Sequence, residues 1–354
     1  MQVFGRLVCV VLIVTVQAAA AQLTPVQSYN SYRSWLAACD NTLACEVKGF
    51  DEQGDRRAEM VITRAAGARE TPAVQIRAET KFALADVRID GQPAGLKSPE
   101  WTISQDDDGT SIRSRSFPAI RAFIARLRNG AKLTLGADGA EVPLDGLVAA
   151  LLRIDERQGR IGGVTGLTKT GPAPAALVPN APLIPIIPSR PIRATFASGE
   201  TRHLIAAVRT SQRAIFKKED CEDDLQPKQA NAWALDGSRA LVMIPCVMGA
   251  YQGSSLAFIT PRKAGGTTAQ VTAPLPYLGN NPANTTVDMF TEGDFDPKTG
   301  SLAMSAKGRG LADCGMSASW IWDGAKFRLS ALSNQDACGG LEPGDWPTLF
   351  VSRQ

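Results

Sequence analysis

The chain has 354 residues, with 38 Lys and Arg against 35 Asp and Glu, one histidine and a formal net charge of +3. A balance this close to neutral excludes a strongly basic nucleic-acid binder, and a single histidine supplies neither a zinc ligand set nor a choice of catalytic bases. The 22 prolines and 32 glycines, set among short apolar runs, favour strands and turns over a helical bundle, and the length suits about two domains.

Residues 1–21 read as an export signal. Arg6 is the only early charge, Leu7 to Val16 form an apolar run, and Ala19-Ala20-Ala21 supply a cleavage site after Ala21. The run is shorter than the roughly 20 residues a transmembrane helix needs, so the expected location is the periplasm, with no membrane span. Cleavage removes Cys9 and leaves Cys39, Cys45, Cys221, Cys246, Cys314 and Cys338. An even set in an oxidising compartment points to disulfides. Many connectivities are open to it, and the grouping along the chain makes neighbour pairing the expected one.

Residues 22–168 form the first expected domain. Cys39 and Cys45 flank an Asp40-Asn41 turn with no histidine or further cysteine nearby, so a structural bridge is expected there and no metal site. Period-two runs at Ala58 to Thr63, Ala73 to Ala78 and Phe82 to Ile89 predict antiparallel strands. A hairpin is expected at Trp101–Ile103 and Thr110–Arg115 around Asp106-Asp107-Asp108-Gly109. That tip lacks the closing glutamate of a calcium loop and reads as an exposed acidic turn.

Phe117, Ile120, Ile124 and Leu127 then mark one helix face, with Pro118 in the first turn and Asn129-Gly130 as the stop. Its other side carries Arg121, Arg126 and Arg128, near Arg113 and Arg115, a basic face expected to be solvated. After a strand at Ala131 to Leu135 and a turn at Asp138-Gly139, a second helix is expected through Leu144, Leu147, Val148, Leu151 and Leu152. The early Trp35-x-x-x-Cys39 with Cys45, and the late Val142-Pro143-Leu144-Asp145-Gly146-Leu147, resemble secreted modules of the invasion-associated locus B type. That resemblance implies a periplasmic or surface β-rich module and no reaction.

Residues 169–195 hold repeated prolines, which forbid helix and favour an extended, docked spacer. In the second expected domain, 196–354, Thr201 to Lys218 has helical apolar spacing. His203 lies at its start with no Gly-x-Ser-x-Gly elbow elsewhere to make it a catalytic base, and it reads as a surface or cap residue. Three strand–turn–strand units follow, with tips at Asp236-Gly237, Asp296 to Gly300 and Asp323-Gly324. The fold class expected is α+β and β-rich: two antiparallel-sheet domains, sandwich or half-barrel, with a few helices and disulfides.

A longer pattern comprises Trp233-x-Leu235-Asp236, Pro245-Cys246-x-x-Gly249-Ala250-Tyr251, Asp296-x-x-Thr299-Gly300, Lys307-Gly308-Arg309-Gly310-Leu311-x-Asp313-Cys314-Gly315, Trp320-x-Trp322-Asp323-Gly324, Cys338 and Trp346-Pro347. It is similar to the proteobacterial secreted family catalogued as domain of unknown function 1176. The resemblance implies architecture and export and leaves activity open. Where that family has an aromatic after its cysteine and an asparagine after its tyrosine, this chain has Val247 and Gln252, which weakens a ligand role for that turn.

The function expected is a non-catalytic binding or interaction module of the cell envelope, with no cofactor and no metal. Its partner would be an envelope protein or an anionic ligand. Lys307 and Arg309 flank glycines whose amides suit an anion or a peptide groove, and Trp320 and Trp322 are candidate stacking residues beside them. The alternatives are a glycan hydrolase using Asp294 and Asp313 as paired carboxylates, and a protein inhibitor of an envelope hydrolase that presents a disulfide-fixed loop.

Overall fold

The computed structural model describes residues 27–52, 57–137, 139–222, 229–276, 278 and 285–354. The expected export signal and Asp138 of the predicted turn lie outside the described residues. The protein is α+β and β-rich, built from antiparallel sheets. Three disulfides join the cysteines as chain neighbours, Cys39–Cys45, Cys221–Cys246 and Cys314–Cys338.

A seven-stranded sheet runs in the order β1 (Ser28–Tyr32), β2 (Trp35–Cys39), β3 (Cys45–Phe50), β4 (Ala58–Arg64), β5 (Ala73–Ala78), β9 (Gly109–Ser114), β8 (Thr102–Asp106). Beside it lies a four-stranded sheet of β11 (Ala140–Pro143), β10 (Lys132–Leu135), β6 (Val87–Ile89) and β7 (Gln92–Pro93). Helices α1 (Phe117–Leu127) and α2 (Leu147–Arg157) complete the first core. Ser116 caps α1 by accepting the Ala119 amide, and Pro118 sits in the first turn, where its missing N–H costs no helical bond.

The C-terminal half has one sheet of β12 (Asn231–Ala234), β13 (Arg239–Met248), β14 (Gly253–Pro261) and β15 (Ala269–Gln270), with β18 (Met289–Thr291) also pairing β14. A ribbon of β16 (Ala273–Pro274) and β17 (Thr286–Val287) links it to a second sheet of β19 (Asp294–Asp296), β20 (Ser301–Lys307), β21 (Gly315–Trp322), β22 (Phe327–Gln335) and β23 (Thr348–Val351). The unit expected around Asp296 to Gly300 is therefore divided: β18 joins the first of these sheets and only β19 pairs with β20. The single helix expected over Thr201 to Lys218 breaks at Gln212 into α3 (Glu200–Ser211) and α4 (Arg213–Lys218).

Side chains alternate across a strand, and β2 uses both faces. Trp35, Ala37 and Cys39 enter the first core, whereas Leu36 and Ala38 join a second core with Tyr29, Phe50 and the inner residues of the C-terminal sheets. The proline-rich segment starts against the first half, where Lys169 and Ala173 bond to Gly162 and Val164, and ends along the second: the Ile187 amide donates to the Arg353 carbonyl, the Arg353 amide to that of Pro185, and the amides of Arg190 and Ile192 to the carbonyls of Thr299 and Pro297. Proline supplies no donor of its own, so the intervening residues dock it.

The same alternation aims Cys45, Val47, Met60, Ile62 and Ile76 at the first core and turns Glu46, Lys48, Glu59 and Arg77 to the opposite face. Glu59 and Arg77 are register partners, bonded Nε to Oε1 at 2.6 Å, and Lys48 lies 3.4 Å from Glu59. The loop from Asp336 to Trp346 covers these charges. Lys48 donates to the Asp345 carbonyl at 2.8 Å, Arg57 to the Gly340 carbonyl at 3.1 Å, and the Leu341 amide to Glu59 at 3.1 Å, while Arg77 also pairs with Glu342 and Asp345. Lys48 and Glu59 are thereby fully buried. Removing one partner leaves the others charged in a dry site. Glu59→Gln is expected to cost about 3–5 kcal/mol in urea unfolding of the oxidised protein, whereas Glu79→Gln, which breaks the more exposed pair with Arg57, is expected to cost under about 1 kcal/mol.

Candidate functional site

The segment from Lys307 to Gly315 forms a corner between β20 and β21, closed by Cys314–Cys338. Gly308 is required for close approach, since a Cβ there would lie 2.5 Å from the Cys314 sulfur. The loop spends several of its own polar groups internally. The Gly308 amide donates to the Cys314 carbonyl at 2.9 Å and the Ala312 amide to the Arg309 carbonyl at 2.9 Å. Gln335 donates to the Asp313 carbonyl at 2.7 Å, and the Trp346 indole to the Ala312 carbonyl at 3.1 Å.

Arg309 is committed to Asp313. Its Nε donates to Oδ1 at 2.8 Å and its Nη2 to Oδ2, and the pairing holds the buried Asp313 carboxyl below the usual carboxylate range. Asp313, Cys314 and Cys338 cluster closely, but the two sulfurs are bonded to each other. The trio therefore offers one carboxylate, already neutralised by Arg309, and no thiolate for a metal.

Lys307 differs from Arg309. Its backbone is gripped by Gln252, whose side-chain amide accepts the Lys307 N–H at 2.9 Å and donates to the Lys307 carbonyl at 3.0 Å. This anchors the turn between β13 and β14 to the end of β20 and gives Gln252 a positioning role. The Lys307 ammonium has no ion pair or hydrogen bond among the described residues. Lys307 lines a cleft of about 510 Å³ whose apolar lining includes Leu275, Leu278, Val287, Met316 and Leu332. Asp336 lines the same cleft, its carboxylate accepting from Asn334 at 2.8 Å.

Trp320 and Trp322 do not reach the cleft as stacking surfaces. Both are fully buried: the Trp320 indole donates to the Pro274 carbonyl at 2.7 Å, and the Trp322 ring packs on Phe327 and under Arg239. Asp294 and Asp313 sit at opposite ends of β20. Asp294 pairs with Ala303, while Asp313 adjoins Gly315, the partner of Lys307. Four residues of strand separate them by roughly 13 Å, beyond the roughly 5–9.5 Å that a glycosidase acid and base require.

One titratable group was invisible to motif reasoning. Glu46 lines a crevice of about 270 Å³ with Arg115, Thr63 and Thr348. Desolvation pushes its carboxyl up to about 7; Asp345 and Glu59 raise it further, and Lys48 and Arg77 oppose the rise. Its only sequence signal is an acid between the inward residues Cys45 and Val47, which reads as a solvent-facing position.

The fold and its cleft define a disulfide-bonded β-rich protein with an apolar cleft, lined also by Lys307, at a stapled sheet corner. The family described as protein of unknown function (DUF1176) matches residues 29–353, and the chain belongs to it. It is similar to the uncharacterized protein YpfG of Escherichia coli (strain K12), with 31% identity over 337 residues, 91% of this chain and 92% of that protein. No solved structure matches. Among the described residues no helix is long and apolar enough to cross a membrane.

Because Glu46 binds its proton more tightly in the folded state, its contribution to stability is full below about pH 4.5 and is lost as pH rises through about 7. Glu46→Gln is expected to melt higher than the parent protein at pH 8, by on the order of 2 kcal/mol. That gap should close by pH 5 in thermal melts across the range.

Proposed function

We propose that this protein is a non-catalytic binding module of the cell envelope, exported to the periplasm, whose cleft at Lys307 takes an apolar peptide ending in a carboxylate. The observation that carries the reading is Lys307, whose ammonium has no partner among the described residues, in the lining of a cleft with Leu275, Val287, Met316 and Leu332. A cation in that setting suits a carboxylate, and the wall suits the apolar side chains that precede it. The export reading rests on residues 1–21 together with the three disulfides, which form and persist in oxidising compartments. The wide spacing of Asp294 and Asp313 argues against glycan hydrolysis by that pair.

The test is a fluorescence titration with a Leu-Leu-ended peptide carrying a free carboxylate and with its C-terminal amide. The free acid is expected to bind more tightly than the amide, and Lys307→Ala to weaken the acid about tenfold, which is about 1.4 kcal/mol, with the amide unaffected. Equal binding of acid and amide, or none of either, defeats the reading.

A second reading, a protein inhibitor of an envelope hydrolase, is favoured by Leu311. It is 54% exposed on the corner loop that Cys314–Cys338 fixes, with Tyr251 of the adjoining turn 49% exposed. Rigid exposed side chains of this kind suit insertion into an enzyme cleft. Stoichiometric capture of an envelope hydrolase, lost on Leu311→Asp, supports it; inhibition of no captured enzyme defeats it.

A further inference from the structure

Helices α3 and α4 pack across β13 and β14 through Leu204, Val208 and Phe216, whose ring meets Phe258 at 5.5 Å between centroids. Next to them is a cavity of about 470 Å³, walled by Ile244 and Pro245 of β13 and by the segment from Asp220 to Glu222. That wall is held in place. Cys221 is bonded to Cys246, the Cys221 amide donates to the Phe216 carbonyl at 3.0 Å, and the Glu222 amide donates to the Cys246 carbonyl at 2.8 Å.

Three cations line the cavity, Arg209, Arg213 and Lys217. Arg209 lies in the last turn of α3, and Arg213 and Lys217 stand four residues apart on α4, the spacing that places side chains along one helical side. None of them has an ion pair or hydrogen bond among the described residues. The Nε and Nη2 of Arg209 are moreover buried from solvent. Buried guanidinium N–H groups without an acceptor are rare in folded proteins, because the charge has been taken from water with nothing in return. Two carboxylates also line the cavity, Asp220 and Glu222, and Glu222 accepts the Met248 amide at 3.0 Å. The described lining thus sets three cations against two carboxylates, beside a wall tied by a disulfide.

We propose that this cavity binds a phosphate-type oxyanion, neutralised by the three cations of its lining, Arg209, Arg213 and Lys217. Arginine's fixed fork matches phosphate oxygens, and lysine supplies a point charge. The site is distinct from the cleft at Lys307. A soluble phosphate compound and a phospholipid headgroup both carry such an oxyanion, and two probes separate these sources: calorimetric titration with pyrophosphate, and co-sedimentation with vesicles of phosphatidylglycerol and phosphatidylethanolamine.

Saturable binding of at least one probe is expected, weakened at least tenfold in Arg213→Glu/Lys217→Glu and unchanged in Lys307→Ala. Arg213 and Lys217 are exposed, so the double variant should melt as the parent does; Arg213→Gln/Lys217→Gln provides a second variant of intact volume. Vesicle binding without pyrophosphate binding assigns the site to a headgroup, and the reverse to a soluble phosphate. Absence of binding by either probe overturns the proposal, as does binding that survives both double variants.

Discussion

Lys48, Glu59 and Arg77 sit on the face of the first sheet that ordinary strand alternation turns away from its own core, and the rest of the molecule is arranged to cover them. Glu59 and Arg77 are cross-strand partners, a pairing any antiparallel sheet can make in water for a modest gain. Here the loop from Asp336 to Trp346 closes over the pair and over Lys48, so each charge must find its partner inside the protein. A buried ion cluster of this kind contributes little net stability against apolar packing, yet it is costly to leave incomplete. It therefore specifies where the loop lies and how the two halves meet.

The covering loop needs a fixed base, and the corner from Lys307 to Gly315 provides it. Cys314 ties the corner to Cys338 at the start of the loop, and Gly308 makes room for the sulfur. Trp346, at the loop's far end, returns to the corner through its indole bond to Ala312. The glycines, the disulfide and Arg309 with its carboxylate partner thus belong to one clamp. Lys307 lies at the edge of that clamp and lines the cleft, with its backbone held by Gln252. Clamp and cleft share a backbone but not their side chains.

Much of the secondary structure was legible in the chain. The alternation from Ala58 to Thr63 and from Ala73 to Ala78 became β4 and β5, Pro118 and the spacing of Ile120, Ile124 and Leu127 marked α1, and the Asp-Gly tips at 236–237 and 323–324 closed hairpins. The site was legible only in outline. Lys307 stood out through its glycine-rich loop, but Arg309 looked equally free, because a salt bridge to a carboxylate four residues on in an irregular loop leaves no periodic trace. Trp320 and Trp322 looked like stacking platforms because a tryptophan reads the same in a core and on a surface until its neighbours are known.

The sequence by itself determined the local choices: which segments become strands or helices, where hairpins turn, and which cysteines lie near enough in the chain to pair. These follow from backbone preferences and side-chain periodicity, which act over a few residues. Only the tertiary structure decided the second face of the first sheet. Glu46, Lys48, Glu59 and Arg77 alternate as a solvated surface does, and a loop nearly 300 residues further along buries them, as the 297-residue separation of Lys48 and Asp345 records. That contact converts exposed charges into a dry cluster and moves the Glu46 carboxyl into the neutral range. Desolvation depends on what finally covers a group, and no local pattern carries that information.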